Sequence, residues 1–328
     1  MSEKKRILSG IQPSGRLHLG NYFGMMKRMI EYQDKEDLFC FLVNYHALTT
    51  ISNGNKLRKE TLSAAMDFLA LGIDPEKSYF WVQSDIPEVT ELTWILSNVT
   101  PLGLLERCHS YKDKVARGIS PSHGLFAYPV LMAADILIFQ SNIVPVGKDQ
   151  KQHVEVARDI AIKFNNTYGD TFVIPEEEIQ QDLATVPGLD GQKMAKSYDN
   201  TIEIFADEKT MKQKVMSIVT DSTPVNQPKN PETCNLFAIY KLFANEDQVK
   251  ELDDKYRNKP LKYSEIKKEL FGMIWEYFAE ARQERKKYEN SPGDVINILK
   301  KGAGKARKIA CNTLQQILKA VGLNYFDF

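Results

Sequence analysis

The sequence predicts an α/β fold, with a doubly wound parallel sheet in the N-terminal part and an all-helical second domain. Two short apolar runs, 38–43 (Leu-Phe-Cys-Phe-Leu-Val) and 79–82, are typical of parallel strands that are buried on both faces. A stretch of helical periodicity, 55–72, lies between them, and this alternation is typical of a doubly wound sheet. Beyond Ser197 the apolar pattern is helical throughout.

Length and composition limit the classes of protein to which the sequence can belong. A chain of 328 residues can bury a large core and has room for two domains. Its 43 basic and 43 acidic residues cancel, so a nucleic-acid partner would need a local basic face. No apolar run is long enough to cross a bilayer, and the N-terminal Met-Ser-Glu-Lys-Lys-Arg leads into a strand rather than a signal segment. We therefore expect a cytoplasmic protein without membrane attachment.

The cysteines do not predict a metal site. Cys40, Cys108, Cys234 and Cys311 are far apart, and none belongs to a Cys-x-x-Cys pair. This spacing is typical of reduced core thiols in a cytosolic protein. His153 has no second His or Cys at ligand spacing, so we expect it on a helix surface or in the core. The sequence predicts no protein-bound structural metal.

A strand, a glycine-rich turn and a helix follow one another near the N-terminus. Residues 7–11 are apolar, and Gly10, Pro13 and Gly15 then interrupt the pattern. After Gly15 the apolar positions change to a helical period. Such a unit directs backbone N–H groups and the positive end of a helix at one point, where a phosphate can bind. The spacing is neither the Rossmann nor the Walker motif, so a plain connection is the alternative interpretation.

A second loop, much later in the chain, carries two lysines three residues apart. The run 193–197 (Lys-Met-Ala-Lys-Ser) follows 187–191 (Pro-Gly-Leu-Asp-Gly), which is typical of a loop. Two ammonium groups at this spacing can approach a polyphosphate from one side. A solvated basic loop is the alternative interpretation of this run.

Polar residues follow the second predicted strand at the edge where ligands of such sheets bind. The run 44–46 (Asn-Tyr-His) comes directly after the apolar run 38–43. In doubly wound sheets the ligand lies beyond the carboxyl ends of the strands, and the glycine-rich turn also falls there. His46 is therefore a candidate pocket residue, although a lone histidine is more often structural.

A single carboxylate interrupts the most apolar segment of the chain. Residues 87–142 are predominantly helical, and the segment 128–139 (Tyr-Pro-Val-Leu-Met-Ala-Ala-Asp-Ile-Leu-Ile-Phe) is apolar apart from Asp135. A buried carboxylate is costly unless a donor pairs with it, so the alternative is an Asp that faces solvent. Tyr128 and Met132 lie on roughly the same helix face as Asp135. An acceptor in an aromatic and methionine pocket suits an indole, which has one N–H donor and a large apolar body.

Another strand and polar turn lead into the next helix. The apolar run 143–146 (Ile-Val-Pro-Val) precedes 147–153 (Gly-Lys-Asp-Gln-Lys-Gln-His). This arrangement again directs polar groups at the carboxyl edge of the predicted sheet.

Several of these motifs together resemble those of the class I aminoacyl-tRNA synthetases. His18-Leu19-Gly20-Asn21 and the run 193–197 are similar to the HIGH and KMSKS signatures, with Asn21 and Ala195 as departures from those patterns. The HxGN form, and the run 145–153 (Pro-Val-Gly-Lys-Asp-Gln-Lys-Gln-His), resemble the tryptophanyl branch in its bacterial form. The resemblance covers nearly the whole chain.

The resemblance implies both a domain organisation and a reaction. It implies a Rossmann-like, HUP-type catalytic domain at 1–199, with a helical connective insertion at about 101–142, and a helical anticodon-binding domain at 200–328. The implied activity is ATP-dependent activation of L-tryptophan to tryptophanyl-adenylate, followed by transfer to tRNA(Trp). ATP with Mg²⁺ is the implied co-substrate, and a homodimer is the implied assembly.

The resemblance also implies three sets of site residues. The catalytic set is His18, Asn21, Lys114, Lys193, Lys196 and Ser197. The ATP-binding set is Gln12, Pro13, Ser14, Gly20, Asn21, Gly147, Lys148, Asp149, Val186, Lys193, Met194, Ala195, Lys196 and Ser197. The tryptophan-binding set is Leu8, Gly10, His46, Tyr128, Met132, Asp135, Val144, Val146 and Gln150, and in it Asp135 accepts the indole N–H.

Three other functions remain open at this point. A tyrosyl-tRNA synthetase shares the architecture, but its first strand provides a tyrosine to the phenol, whereas this chain has Leu8. A HIGH-type nucleotidyltransferase is usually shorter and lacks a helical C-terminal half. A paralogue that binds tryptophan or RNA without catalysis is the third, and the intact His18, Asn21, Lys193 and Lys196 argue against it.

A cluster of basic residues lies in the C-terminal helices, which we expect at 209–219, 246–256, 264–288 and 295–321. The cluster consists of Arg282, Arg285, Lys286, Lys287, Lys300, Lys301, Lys305, Arg307 and Lys308. Such a run is usually a solvated face. With the resemblance, we interpret it as part of the anticodon-binding surface.

Overall fold

The computed structural model describes residues 4–13, 15–108, 111–112, 116, 118, 122–147, 150–179 and 186–325. Its centre is a five-stranded sheet in the order β3-β2-β1-β4-β5, and every pairing is parallel. The strands are β1 (Arg6–Ile11), β2 (Asp37–Leu42), β3 (Tyr79–Val82), β4 (Ile143–Val146) and β5 (Glu176–Ile179). The predicted doubly wound parallel sheet is therefore confirmed.

The apolar patterns predicted four of these strands but not β5. Its sequence, Glu-Glu-Glu-Ile, has none of the apolar character of a buried strand. Among the described residues, β5 pairs only with β4, at the edge of the sheet, where the glutamate side chains are partly exposed. An edge strand reaches solvent, so it does not need the apolar residues that identify a central one.

Helices connect the strands in the N-terminal part. They are α1 (Leu19–Asn21), α2 (Lys27–Tyr32), α3 (Asn44–Ala47), α4 (Gly54–Ala70), α5 (Glu88–Ser97), α6 (Leu102–Glu106), α7 (His123–Leu137) and α8 (Lys151–Tyr168). A π-helical segment, Tyr22–Met26, joins α1 to α2. Asn53 begins α4 by accepting the Lys56 N–H at 3.0 Å, and Ser122 begins α7 by accepting the Leu125 N–H at 3.1 Å. Each of these side chains satisfies a backbone donor that the first turn leaves unpaired.

The C-terminal part is helical, as the sequence predicts. Its helices are α9 (Glu208–Met216), α10 (Asn235–Tyr240), α11 (Glu246–Asn258), α12 (Tyr263–Tyr277), α13 (Ala279–Asn290) and α14 (Pro292–Ala320). The expected single helix over 264–288 is two helices, which are separated at Phe278. This ring is 1 % exposed and packs against Tyr22 at 5.0 Å between centroids, so a tertiary contact accompanies the break. None of the described helices is long and apolar enough to span a bilayer.

The two faces of the sheet are buried in two core clusters. Strand residues Ile7, Leu38, Cys40, Leu42 and Phe80 belong to one cluster, and Leu8, Phe39, Phe41, Trp81 and Val144 belong to the other. This alternation follows the pleat of the strands. The long helix α14 joins both clusters, with Val295 in the first and Ala306 in the second. Side chains from the two parts of the chain thus share a core, and the domain boundary near Asp199 stays a prediction.

Two glycines of α14 give a matched test of how tightly this helix packs on β3. A Cβ atom on Gly302 would lie 1.9 Å from the carbonyl oxygen of Phe80, whereas a Cβ on Gly304 would have no heavy atom within 4 Å. We expect Gly302→Ala to lower the free energy of unfolding by about 2 kcal/mol or more, because backbone must move. We expect Gly304→Ala to raise it by about 0.5–1 kcal/mol through helix propensity. Urea unfolding of both variants checks this, and equal effects would contradict the packing.

Candidate functional site

A cavity opens between β1 and β4, where the connections leave the sheet in opposite directions. It has a volume of about 590 Å³. In open parallel sheets this switch point is where ligands bind. The cavity brings together all nine residues that were assigned to tryptophan, namely Leu8, Gly10, His46, Tyr128, Met132, Asp135, Val144, Val146 and Gln150. Gln12 and Gly147, two of the residues assigned to ATP, line it as well.

Asp135 lies in the wall of this cavity and is 2 % exposed, so the carboxylate is buried as the sequence predicts. Its Oδ2 accepts from His46 Nε2 at 2.9 Å, and the Gln83 amide donates to Oδ1 and Oδ2 at 2.9 and 2.8 Å. Burial raises the pKa of the Asp135 carboxyl, and the hydrogen bonds from His46 and Gln83 act in the opposite direction. The cavity therefore contains a buried acceptor whose position is fixed by two donors.

Two neighbouring strand ends deliver these donors. His46 lies on α3, directly after β2, and Gln83 follows the last residue of β3. β2 and β3 are paired and parallel, so their carboxyl ends meet at one edge. Gln83 is not among the site residues predicted from the sequence. The sequence feature that could have identified Gln83 is its position directly after a buried strand, at the carboxyl edge that also carries His46.

Tyr128 and His153 form a second polar pair in the cavity wall. The Tyr128 hydroxyl lies 2.7 Å from His153 Nε2, and the ring of Tyr128 lies 6.3 Å from that of His46. His153 is 7 % exposed, in agreement with the core position that was one of its two expected places. Further residues that line the cavity, none of them assigned to the site from the sequence, are Ser9, Gly24, Met25, Phe41, Val43, Thr49, Thr50, Ile136, Pro145 and Val154.

The glycine-rich turn and the lysine loop, which are far apart in sequence, lie against each other. The Gly20 N–H lies 3.4 Å from Met194 Sδ, and a Cβ on Gly15 would lie 3.8 Å from Lys196 Nζ. A Cβ on Gly20 would lie 3.0 Å from His18 Nδ1, so a larger residue there would have to displace the imidazole by a few tenths of an ångström. This arrangement places an ammonium group beside the start of the first helical segment.

A buried asparagine holds the lysine loop in shape. Asn200 is 2 % exposed and accepts the Ala195 N–H at 2.8 Å. Its amide donates to Asp190 Oδ1 at 2.8 Å and to the Lys193 carbonyl at 3.1 Å. The Met194 N–H donates to the carbonyl of Val186 at 2.9 Å, which closes the base of the loop. The side chains of Lys193, Lys196 and Ser197 are exposed.

His18 is buried beside the lysine loop, with 5 % of its surface exposed. Burial lowers the pKa of the His18 imidazole from 6.5 to about 4, and the Lys196 ammonium acts in the same direction. The imidazole is therefore neutral at pH 7. Asn21 Oδ1 accepts the His18 backbone N–H at 3.1 Å. Among the residues that the structure describes, His18 Nδ1 is a buried nitrogen without a hydrogen-bond partner.

The lowered pKa of His18 gives a pH-dependent contribution to stability. Between about pH 6.5 and 4 the unfolded chain binds a proton at this histidine that the folded chain does not bind. The free energy of unfolding therefore falls as the pH is lowered through this window, and we expect His18→Gln to remove that part of the fall. Urea unfolding at pH 7.5 and pH 5 tests this, with the exposed His123→Gln as the control. An unchanged pH dependence in His18→Gln would contradict it.

Four residues assigned to the site lie outside the described residues. They are Ser14, Lys114, Lys148 and Asp149.

The comparisons with known proteins identify the family. A family model described as "tRNA synthetases class I (W and Y)" matches residues 1–279, which is more than half of the chain. The chain belongs to this family. The resemblance that the signature runs indicated is thus confirmed, and a HIGH-type nucleotidyltransferase outside this family is excluded.

Within the class I synthetases for tryptophan and tyrosine, similar curated proteins are tryptophan–tRNA ligases. The one from Campylobacter jejuni (strain RM1221) is 55 % identical over 318 residues, which cover 97 % of this chain and 100 % of that protein. The one from Fusobacterium nucleatum is 54 % identical over 320 residues, which cover 97 % and 98 %.

Solved structures of this family have the same fold. A tryptophanyl-tRNA synthetase from Campylobacter jejuni, complexed with ADP and tryptophan, is 55 % identical and superposes with a TM-score of 0.93, covering 97 % of this chain and 99 % of that one. The enzyme from Mycoplasma pneumoniae is 28 % identical, with a TM-score of 0.81 over 97 % and 98 % of the two chains. The predicted Rossmann-like fold of the family is thus confirmed.

Proposed function

We propose that this chain is a tryptophan–tRNA ligase, which activates L-tryptophan with ATP and transfers it to tRNA(Trp). In the first step, the tryptophan carboxylate attacks the α-phosphate of ATP in line and pyrophosphate leaves. In the second step, a hydroxyl of the terminal ribose of the tRNA attacks the activated carbonyl, an ester forms and AMP leaves. The observation that carries the proposal is the buried Asp135 carboxylate, held by His46 and Gln83 in the wall of the cavity. The 55 % identity to ligases of that name supports it.

Tryptophan recognition is proposed to depend on one polar contact in an apolar cavity. Asp135 would accept the indole N–H, while Leu8, Met132 and Val144 would contact the apolar body of the ring. Tyr128 and Gln150 would face the ammonium group. Gly10, His46 and Val146 complete the proposed pocket, and all of these residues line the cavity.

Activation is proposed to depend on alignment and charge rather than on a nucleophile of the protein. The attacking carboxylate belongs to the substrate, so the site must align two anions and stabilise charge on the departing pyrophosphate. Gln12, His18 and Asn21 would supply polar contacts, and Lys193 and Lys196 would supply positive charge. Pro13, Ser14, Gly20, Gly147, Lys148, Asp149, Val186, Met194, Ala195 and Ser197 complete the proposed ATP site, with Lys114 near the phosphates.

ATP is proposed to bind as its magnesium complex. Across the described ranges, no group of three or more His, Cys, Asp or Glu side chains is placed to hold a metal ion. Phosphate oxygens are hard ligands that Mg²⁺ prefers, so the nucleotide itself would supply much of the coordination. The magnesium ion is then part of the substrate.

The helical part is proposed to bind the anticodon of tRNA(Trp), with the domain boundary near Asp199. The structure reduces the basic cluster that is available for such contact, because several members pair within the chain. Arg285 pairs with Asp67, Arg307 with Glu88, Lys305 with Glu76 and Lys287 with Glu284. The exposed Lys286, Lys300, Lys301 and Lys308 are therefore the stronger candidates for phosphate contacts.

A cytoplasmic homodimer is the proposed form of the protein. Trp94 on α5 is 73 % exposed and Leu102 on α6 is 68 % exposed. Exposed apolar side chains of this size are often covered by a second subunit. The four cysteines are free thiols, as in proteins of a reducing compartment.

ATP–pyrophosphate exchange, measured with each amino acid in turn and followed by charging of mixed tRNA, tests the proposed function. We expect exchange with tryptophan, exchange with tyrosine or phenylalanine that is lower by about 10³-fold or more, and charging of tRNA(Trp). Preferred exchange with tyrosine would instead favour a tyrosyl-tRNA synthetase. Tryptophan binding without exchange would favour the non-catalytic paralogue.

A further inference from the structure

We propose that Gln83 is a positioning residue that sets the preference for tryptophan, by holding Asp135 so that only Oδ1 remains open to the indole N–H. This inference rests on the proposed function, because it takes Asp135 as the indole acceptor. Gln83 is 1 % exposed and is not among the cavity-lining residues, so it acts through Asp135 rather than on the substrate.

The hydrogen bonds of Asp135 leave one oxygen open. A carboxylate oxygen accepts about two hydrogen bonds. Oδ2 already accepts two, from His46 Nε2 at 2.9 Å and Gln83 Nε2 at 2.8 Å, whereas Oδ1 accepts one, from Gln83 at 2.9 Å. The remaining acceptor site within this network is therefore on Oδ1.

A backbone contact fixes the orientation of the Gln83 amide. Its Oε1 accepts the Tyr45 N–H at 3.0 Å, so the NH₂ group must be the end that faces Asp135. A flipped amide would place its NH₂ group against that backbone donor and its oxygen against a carboxylate. The donor to Asp135 is thus specified by the chain and does not depend on the substrate.

The two strand ends that carry His46 and Gln83 are also joined to each other. Asn44 Nδ2 donates to Ser84 Oγ at 2.8 Å, and the Ser84 N–H donates to Asn44 Oδ1 at 3.1 Å. With the Tyr45–Gln83 bond, three hydrogen bonds connect residues 44–45 to residues 83–84. The two segments that carry the donors to Asp135 are therefore fixed relative to each other by hydrogen bonds.

Loss of Gln83 should affect a substrate that uses the indole N–H more than one that lacks it. Without the bidentate amide, the carboxylate can rotate about its Cβ–Cγ bond and Oδ1 loses its fixed direction. Misplacement of a site atom by about 1 Å can cost about 10²-fold in rate. An amino acid without an N–H at that position gains nothing from the alignment, so it should be insensitive to the change.

The test compares Gln83→Met with wild type in ATP–pyrophosphate exchange, using L-tryptophan and its benzothiophene analogue, in which sulfur replaces the indole N–H. We expect kcat/KM for tryptophan to fall by about 10- to 100-fold, mainly through KM, and kcat/KM for the analogue to change by less than about 3-fold. Ser78→Ala is the matched control, because it removes a hydrogen bond from a buried hydroxyl to the Asp74 carbonyl, at the end of β3 opposite Gln83, and it should leave the ratio of the two kcat/KM values unchanged.

The outcomes separate this inference from the proposed function. If the wild-type protein does not activate tryptophan, the proposed function itself fails. If it does, and Gln83→Met lowers kcat/KM equally for the two substrates or for neither of them, only the positioning role fails. If Gln83→Met does not fold, Gln83→Asn replaces it, because asparagine keeps the amide but shortens its reach by one methylene. The same two substrates and the same contradicting outcome then apply.

Discussion

Asp135→Ala will lower kcat/KM for tryptophan in ATP–pyrophosphate exchange by about 10³-fold or more, while the protein stays folded. The substitution removes a buried acceptor and leaves three groups without it: His46, Gln83 and the indole N–H of the bound substrate. His46 and Gln83 lose their partner in the free variant as well, so the loss in kcat/KM comes from the indole N–H, which leaves water without gaining an acceptor. Steady-state exchange with tryptophan over a wide concentration range measures the loss.

The preference between amino acids is the sharper measurement on this variant. In wild type, phenylalanine cannot satisfy the buried carboxylate, so we expect it to be rejected by about 10⁴-fold relative to tryptophan. In Asp135→Ala that difference should nearly disappear. Retained selectivity for tryptophan would show that another group recognises the indole.

A matched control is available on the same helix. Ile138, at the end of α7, is fully buried and is not part of the site. Ile138→Val removes a core methylene and should cost about 1 kcal/mol of stability, with exchange activity unchanged within about 2-fold. A comparable loss of activity in Ile138→Val would mean that general destabilisation of α7, not the missing acceptor, explains the effect of Asp135→Ala.

The sequence could predict Asp135 because burial leaves a local signature. A carboxylate with apolar neighbours on nearly every face of a helix cannot avoid the core, whatever the rest of the chain does. The partners of that carboxylate leave no such signature. Gln83 and His46 are far from Asp135 in sequence, and only the parallel pairing of β2 with β3 brings their strand ends together.

The same distinction explains the other differences between prediction and structure. β5 was missed because an edge strand of glutamates lacks an apolar pattern. Sequence shows a charge but not its partner, so it could not reveal that Arg285 of the basic cluster is 9 % exposed and paired with Asp67. The break at Phe278 has no glycine or proline signal, since it accompanies packing against Tyr22.

Lys196→Met will lower the rate of tryptophan-dependent pyrophosphate exchange by about 10²–10³-fold and change the affinity for tryptophan by less than about 3-fold. The Lys196 ammonium lies beside the glycine-rich turn, where a Cβ on Gly15 would be 3.8 Å away, and next to the buried His18. A cation there can stabilise the charge that develops on the departing pyrophosphate. Because this charge is small in the ground state, the loss should appear in kcat rather than in tryptophan binding.

Lys214→Met is the matched control, since it also removes one lysine charge near the end of the loop. Lys214 Nζ pairs with Asp199 Oδ1 at 3.3 Å, directly beyond the loop, and no part of the proposed mechanism uses it. We expect exchange by Lys214→Met within about 2-fold of wild type, because a surface ion pair contributes little. Tryptophan binding is measured separately by equilibrium titration. If Lys196→Met weakens tryptophan binding as much as it slows exchange, Lys196 acts on the ground state, and its proposed role at the phosphates is wrong.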